Sequence, residues 1–122
     1  MILLFRTQFY IEMPTLIKAL KHRSVPREKI NWYNNSKWIR LRNQKRMDNP
    51  LCQICELKGK SKLVNDVHHI VPITNGQNEQ EQKMLAYDYD NLCSLCTECH
   101  HEVHQMLLNN SEEYYLLFSK FI

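Results

Sequence analysis

Two sets of side chains in this sequence could do chemistry. The first is Cys52-x-x-Cys55 and Cys96-x-x-Cys99, with forty residues between the pairs. Two thiolates separated by two residues can grip one ion, because the intervening turn brings both sulfurs to the bond length of ~2.3 Å that zinc prefers. Two such pairs complete a tetrahedron with no position left for substrate, so the expected role is structural zinc. Cys93-x-x-Cys96 has the same spacing. The Asn91-Leu92 context favours Cys96 and Cys99 as ligands, with Cys93 a buried small apolar residue.

The second set is His68-His69 and His100 with His104. Neighbours on a strand point to opposite faces, so one of His68 and His69 can ligate an ion while the other stays a free base. Residues four apart share a helix face, so His100 and His104 can approach one ion from the same side. His101 faces away, and His22 falls in a basic stretch.

The elements that must position these residues read as an α+β chain. Asn34-Asn35-Ser36 precedes a predicted helix from Lys37 to about Met47, with Ser36 as its cap. Asp48-Asn49-Pro50 ends it, because the residue before proline avoids the helical region. Trp38, Leu41 and Lys45 share one face of this helix, while Arg40, Arg42 and Arg46 point elsewhere. Leu63–Ile73 is β-branched and predicts a strand. Thr74–Gln77 carries an Asn-Gly pair and predicts a tight turn with positive φ. Residues 79–89 look polar and irregular, with one helical turn at most. A helix is expected from Thr97 to about Leu108, followed by an apolar C-terminal helix or tail over 111–122 that covers the core. Residues 1–13 are apolar and aromatic and fit a short strand or helix.

Composition bounds the function. The chain has 122 residues, enough for one domain with an arm. Residues 1–46 carry 11 basic and 2 acidic side chains, and residues 47–122 carry 5 basic and 11 acidic ones. A basic half of this kind suits polyanions, bound through phosphate contacts that do not read sequence. Five cysteines, an odd number, with no secretory pattern argue for metal rather than disulfides. No apolar run approaches the ~20 residues of a membrane span. A cytoplasmic protein without a membrane partner is expected.

From Trp38 to His104 the sequence resembles the HNH endonucleases of the ββα-metal class. The stretches that carry this are Trp38–Arg42, Asn49–Cys55, Val67–Pro72, Asn75-Gly76 and Asp90–His100. The lead-in helix with Asn-Pro-Leu-Cys is most similar to small phage-encoded HNH proteins. The resemblance implies a small zinc-stabilised, treble-clef-like HNH domain over 36–110, a basic helical arm over 1–35 and a C-terminal helix over 111–122. It further implies a metal-dependent hydrolase of DNA phosphodiester bonds. His69 matches the family's general base, Asn91 the residue that orients it, and His100 a ligand of the catalytic ion. His68 occupies a position that is often Asp, and with His104 it resembles the colicin-type nucleases, in which these would join His100 on the ion. Imidazole ligands suit Zn²⁺ and Ni²⁺ as well as Mg²⁺ or Mn²⁺. Double-stranded DNA is the implied partner, with Arg40, Arg42, Lys45 and Arg46 as phosphate contacts. A phage terminase or portal is a further implied partner, and the host cytoplasm the implied location if the protein is phage-encoded. The competing reading is a non-catalytic, zinc-stabilised nucleic-acid-binding module.

Overall fold

A computed structural model of the protein describes residues 31–121. The basic arm up to residue 30, with its His22, lies outside the described residues.

Helix α1 (Ser36–Asp48) is capped by Asn35, whose side-chain oxygen accepts the Trp38 N–H at 2.8 Å. The cap is therefore one residue earlier than Ser36. Asn35 holds the extended backbone that a capping side chain needs, and Ser36 is already helical. The helix ends at Asn49, just before Pro50. Trp38 and Lys45 are its buried residues.

The chain then forms a knuckle. Cys52 N–H donates to the Lys62 carbonyl, Leu51 bridges Leu63, and the five-residue helix α2 (Gln53–Leu57) sits between them. Gly59, at φ 72°, makes the turn that Lys58-Gly59 announces.

The expected long strand is short. Only β1 (Asp66–His69) pairs, antiparallel, with β2 (Leu92–Leu95), and His68 stands opposite Cys93. Beyond His69 the chain leaves the ladder, and Pro72 leads into a 3₁₀ turn at Ile73–Asn75. The Asn-Gly pair does not supply positive φ, since Gly76 sits at φ −63°. Its glycine is required by crowding instead. A Cβ there would lie 2.6 Å from the backbone nitrogen of Gln82.

The polar stretch is a full helix, α3 (Glu79–Tyr87). Asn78 accepts the Glu81 N–H, and the Glu81 carboxylate accepts the Gln77 N–H, a reciprocal pair that satisfies two otherwise orphan donors. Its final turn buries Leu85 and Ala86.

After β2, helix α4 (Thr97–Asn109) runs close to the expected span, and α5 (Ser111–Phe118) folds back on it. Tyr114 and Phe118, four apart on α5, are fully buried and close the core formed by Ile54, Ile70, Leu95 and Val103 with the five cysteines. Among the described residues, no helix is long and apolar enough to cross a membrane.

Candidate metal centres and active site

Each Cys-x-x-Cys pair starts a helix. Cys52 caps α2 and accepts the Cys55 N–H at 3.4 Å, and Cys96 caps α4 and accepts the Cys99 N–H at 3.5 Å. Helix N-termini with free N–H groups favour thiolate over thiol. All four sulfurs are buried and lie within 4.8 Å of one another. Cys55 Sγ is 3.9 Å from Cys96 Sγ and 3.7 Å from Cys99 Sγ. A tetrahedron built on zinc–sulfur bonds has edges of about 3.8 Å. Burial pushes the Cys52 thiol up, and the N–H groups of Cys55 and Cys96 more than offset this, bringing it to about 7. Burial and the neighbouring sulfurs raise Cys55 and Cys99. Four sulfurs this close ionise together only around a cation, so the donor set fits a closed metal site.

Cys93 is not in the cluster. It lies on β2, fully buried, and its thiol is pushed up to about 12, mainly by burial. This settles the spacing ambiguity: the cluster takes Cys96 with Cys99.

The histidines gather on the other side of α4's first turn. Ligand atoms of His68, His100 and His104 lie within 4.8 Å of one another. The His68 ring centroid is 5.2 Å from that of His100 and 5.3 Å from that of His104. His100 Nδ1–H donates to an Asp66 carboxylate oxygen at 3.2 Å, which leaves Nε2 with a lone pair. That nitrogen is 2.9 Å from His104 Nε2. Two ring nitrogens so close share either a proton or a cation, and the spacing matches ligands roughly 90° apart on bonds of ~2.1 Å. Burial and the neighbouring histidines lower the pKa of both His68 and His104, so both favour the neutral form that ligates.

His69 turns the other way. Its ring stacks on Trp38 at 4.9 Å between centroids, with Tyr33 edge-on at 5.8 Å. Nε2 lies 2.9 Å from the Ala86 carbonyl oxygen. A carbonyl can only accept, so Nε2 carries the proton and Nδ1 keeps the lone pair. Burial pushes its pKa down, and the Ala86 carbonyl partly opposes this.

Asn91 is fully buried. Its side chain accepts the Val71 N–H at 2.8 Å and donates to the Val71 and Leu85 carbonyls at 3.0 Å each. It thereby ties the end of β1 to the end of α3, next to the Ala86 carbonyl that holds His69.

One cavity of about 640 Å³ is lined by all four histidines together with Asp66, Trp38, Arg42 and Arg46. The four expected phosphate contacts of α1 thus separate. Arg42 and Arg46 stand one turn apart on the cavity wall, and Arg46 also donates to the Asn65 carbonyl at 2.6 Å. Arg40 is exposed and lines a separate hollow with Lys37. Lys45 is only 7% exposed, with its ammonium 5.0 Å from the Tyr89 ring centroid, so it is a packing residue outside the cavity. His101 is exposed, as expected.

Residues 52–106 match the family model described as HNH endonuclease. Over this segment the chain is similar to the HNH endonucleases. The matched segment includes all four clustered cysteines and all four cavity histidines, but neither α1 nor α5. Among solved structures, the chain is similar to an HNH endonuclease of the deep-sea thermophilic bacteriophage GVE2, determined with manganese ion. The identity is 26%, covering 79% of this chain and 86% of that one, with a TM-score of 0.49. No curated protein matches the chain.

Asp66, the Ala86 carbonyl and the Trp38 stack on His69 are contacts of this histidine cluster that motif reading missed. Asp66 had a signal: it lies two residues before His68 and so on the same face of β1. The other two come from contacts between elements distant in sequence.

Proposed function

We propose that this protein is a metal-dependent HNH endonuclease that hydrolyses DNA phosphodiester bonds with His69 as the general base. The observation that carries this reading is the division of the two adjacent histidines. His68 joins His100 and His104, while His69, its Nδ1 lone pair left available by the Ala86 carbonyl, opens on the same cavity.

In this reading His68, His100 and His104 hold the catalytic divalent ion, drawn from Mg²⁺, Mn²⁺, Ni²⁺ or Zn²⁺, and Asp66 orients His100 from behind. Cys52, Cys55, Cys96 and Cys99 hold a structural zinc. A divalent ion at the histidines supplies charge stabilisation to the phosphate and the departing oxygen. His69 Nδ1 takes the proton of a water whose oxygen attacks phosphorus. The bond from phosphorus to the 3′-oxygen breaks, and that oxygen takes a proton from solvent, leaving a 3′-hydroxyl and a 5′-phosphate. Asn91 holds the loop that carries the base's own anchor, and Arg42 and Arg46 neutralise flanking phosphates. The terminase and portal partners form no part of this reading, because nothing in residues 31–121 bears on them.

The test is nicking of supercoiled plasmid with Mg²⁺, Mn²⁺ or Ni²⁺, beside His69→Ala. Cleavage that needs an added ion and disappears in the variant at unchanged zinc content is the expected result. DNA binding with no cleavage under any of these ions would instead select the non-catalytic module.

A further inference from the structure

Helix α5 lies outside the segment matched to the HNH family, yet one of its side chains reaches the His68 ring. Tyr114 is fully buried, and its phenolic oxygen has two partners. It makes a short hydrogen bond to the Ile70 carbonyl, and it lies 2.7 Å from His68 Nε2. The hydroxyl has a single proton, and the carbonyl has none to give. The proton therefore goes to Ile70, and the oxygen presents only lone pairs to His68. The contact is then a hydrogen bond in which His68 Nε2–H donates to Tyr114. A neutral imidazole has one N–H, so the lone pair is on Nδ1.

We infer that Tyr114 is a positioning residue, which locks His68 in its Nε2–H form and leaves Nδ1 as the nitrogen of that ring able to bind a divalent cation beside His100 and His104. The inference rests on reading His68 as a ligand. Its physical basis is the small intrinsic difference between the two forms of a neutral imidazole. Without a fixed acceptor at Nε2, both forms are populated and the ring is free to rotate. Phe118 packs at 5.5 Å against the same ring and supplies shape but no acceptor. Burial also raises the Tyr114 pKa, which keeps the hydroxyl protonated and its bond to Ile70 in place.

The decisive measurement needs no variant. Long-range ¹H–¹⁵N spectra of the histidine rings, in zinc-replete protein with no second cation added, are expected to show His68 protonated on Nε2. Protonation on Nδ1 overturns the inference. Calorimetric titration with Ni²⁺ then compares three variants. Tyr114→Phe is expected to weaken binding about 10–100-fold, the usual effect of losing a partner behind a metal-bound histidine, and to leave zinc content unchanged. Tyr115→Phe removes a neighbouring buried hydroxyl that has no hydrogen-bond partner among the described residues, and it is expected to bind as wild type. His68→Ala separates the two layers of the argument. Loss of binding in His68→Ala with wild-type binding in Tyr114→Phe removes the role of Tyr114 and keeps His68 as a ligand. Wild-type binding in His68→Ala removes both.

Discussion

The cysteine cluster and the histidine cluster meet at consecutive residues of α4, Cys99 and His100, and they are built on opposite plans. The four sulfurs are all buried, and two helix N-termini aim N–H groups at them. The three imidazoles grade from buried His68 to exposed His104 and open on a cavity with two arginines. In the first, a bound ion would be surrounded by the protein. In the second, an ion would be held from one side only, with the rest of its sphere left to a ligand. Closure stabilises a fold, whereas openness permits reaction. The two types of centre should therefore fail in different ways.

The largest difference is expected on losing a thiolate. A structural zinc contributes on the order of 10 kcal/mol in small zinc peptides, comparable to the whole stability of a small domain. Cys99→Ser or Cys52→Ser is expected to give protein that is unfolded or insoluble, measured by circular dichroism and zinc content. A variant that folds normally without zinc would remove the contrast. Next comes His69→Ala, which is expected to fold normally, keep its zinc and cleave plasmid about 10²–10⁴-fold more slowly.

A smaller effect sharpens the picture of the open side. Arg42→Ala and Arg46→Ala are each expected to reduce the salt dependence of DNA binding by about one phosphate contact. Lys45→Ala is expected to leave that slope unchanged and to cost ~1 kcal/mol of stability, because its stem is buried and its ammonium faces Tyr89. Equal slopes for all three variants would erase the distinction between cavity wall and packing face. The smallest effect concerns pH. Burial favours neutral His69, so at saturating metal the acid limb of the cleavage profile is expected below the ordinary imidazole value of about 6.5. A limb at or above that value would show that His69 is not held as a dry neutral base.

Much of this was legible because metal-ligand spacing is local. Both Cys-x-x-Cys pairs and the i, i+4 histidines are patterns along the chain, and strand alternation separates His68 from His69. What escaped depends on encounters between distant elements. Residues 79–87 have a weak apolar pattern, and their helix is held by a terminal cap and by burial of Leu85 and Ala86 at its far end. Gly76 suggested a backbone conformation, yet its neighbour Gln82 is the reason for it. Lys45 looked like a phosphate contact because a charge at the surface and a charge packed over Tyr89 are written with the same letter. Tyr114 carried no motif, since its partner lies 46 residues away.

The four-rung ladder that faces His68 with Cys93 and His69 with Leu92 has one more consequence. In the proposed function, ligand and base differ only in parity. Sliding β1 by one residue along β2 would keep both histidines, both strands and the hydrophobic content, and would swap which ring joins His100 and His104 and which stacks on Trp38. An ordinary insertion in this segment is thus an exchange of chemical roles, and the Asn91 clasp and the Leu51–Leu63 bridge on either side keep the count.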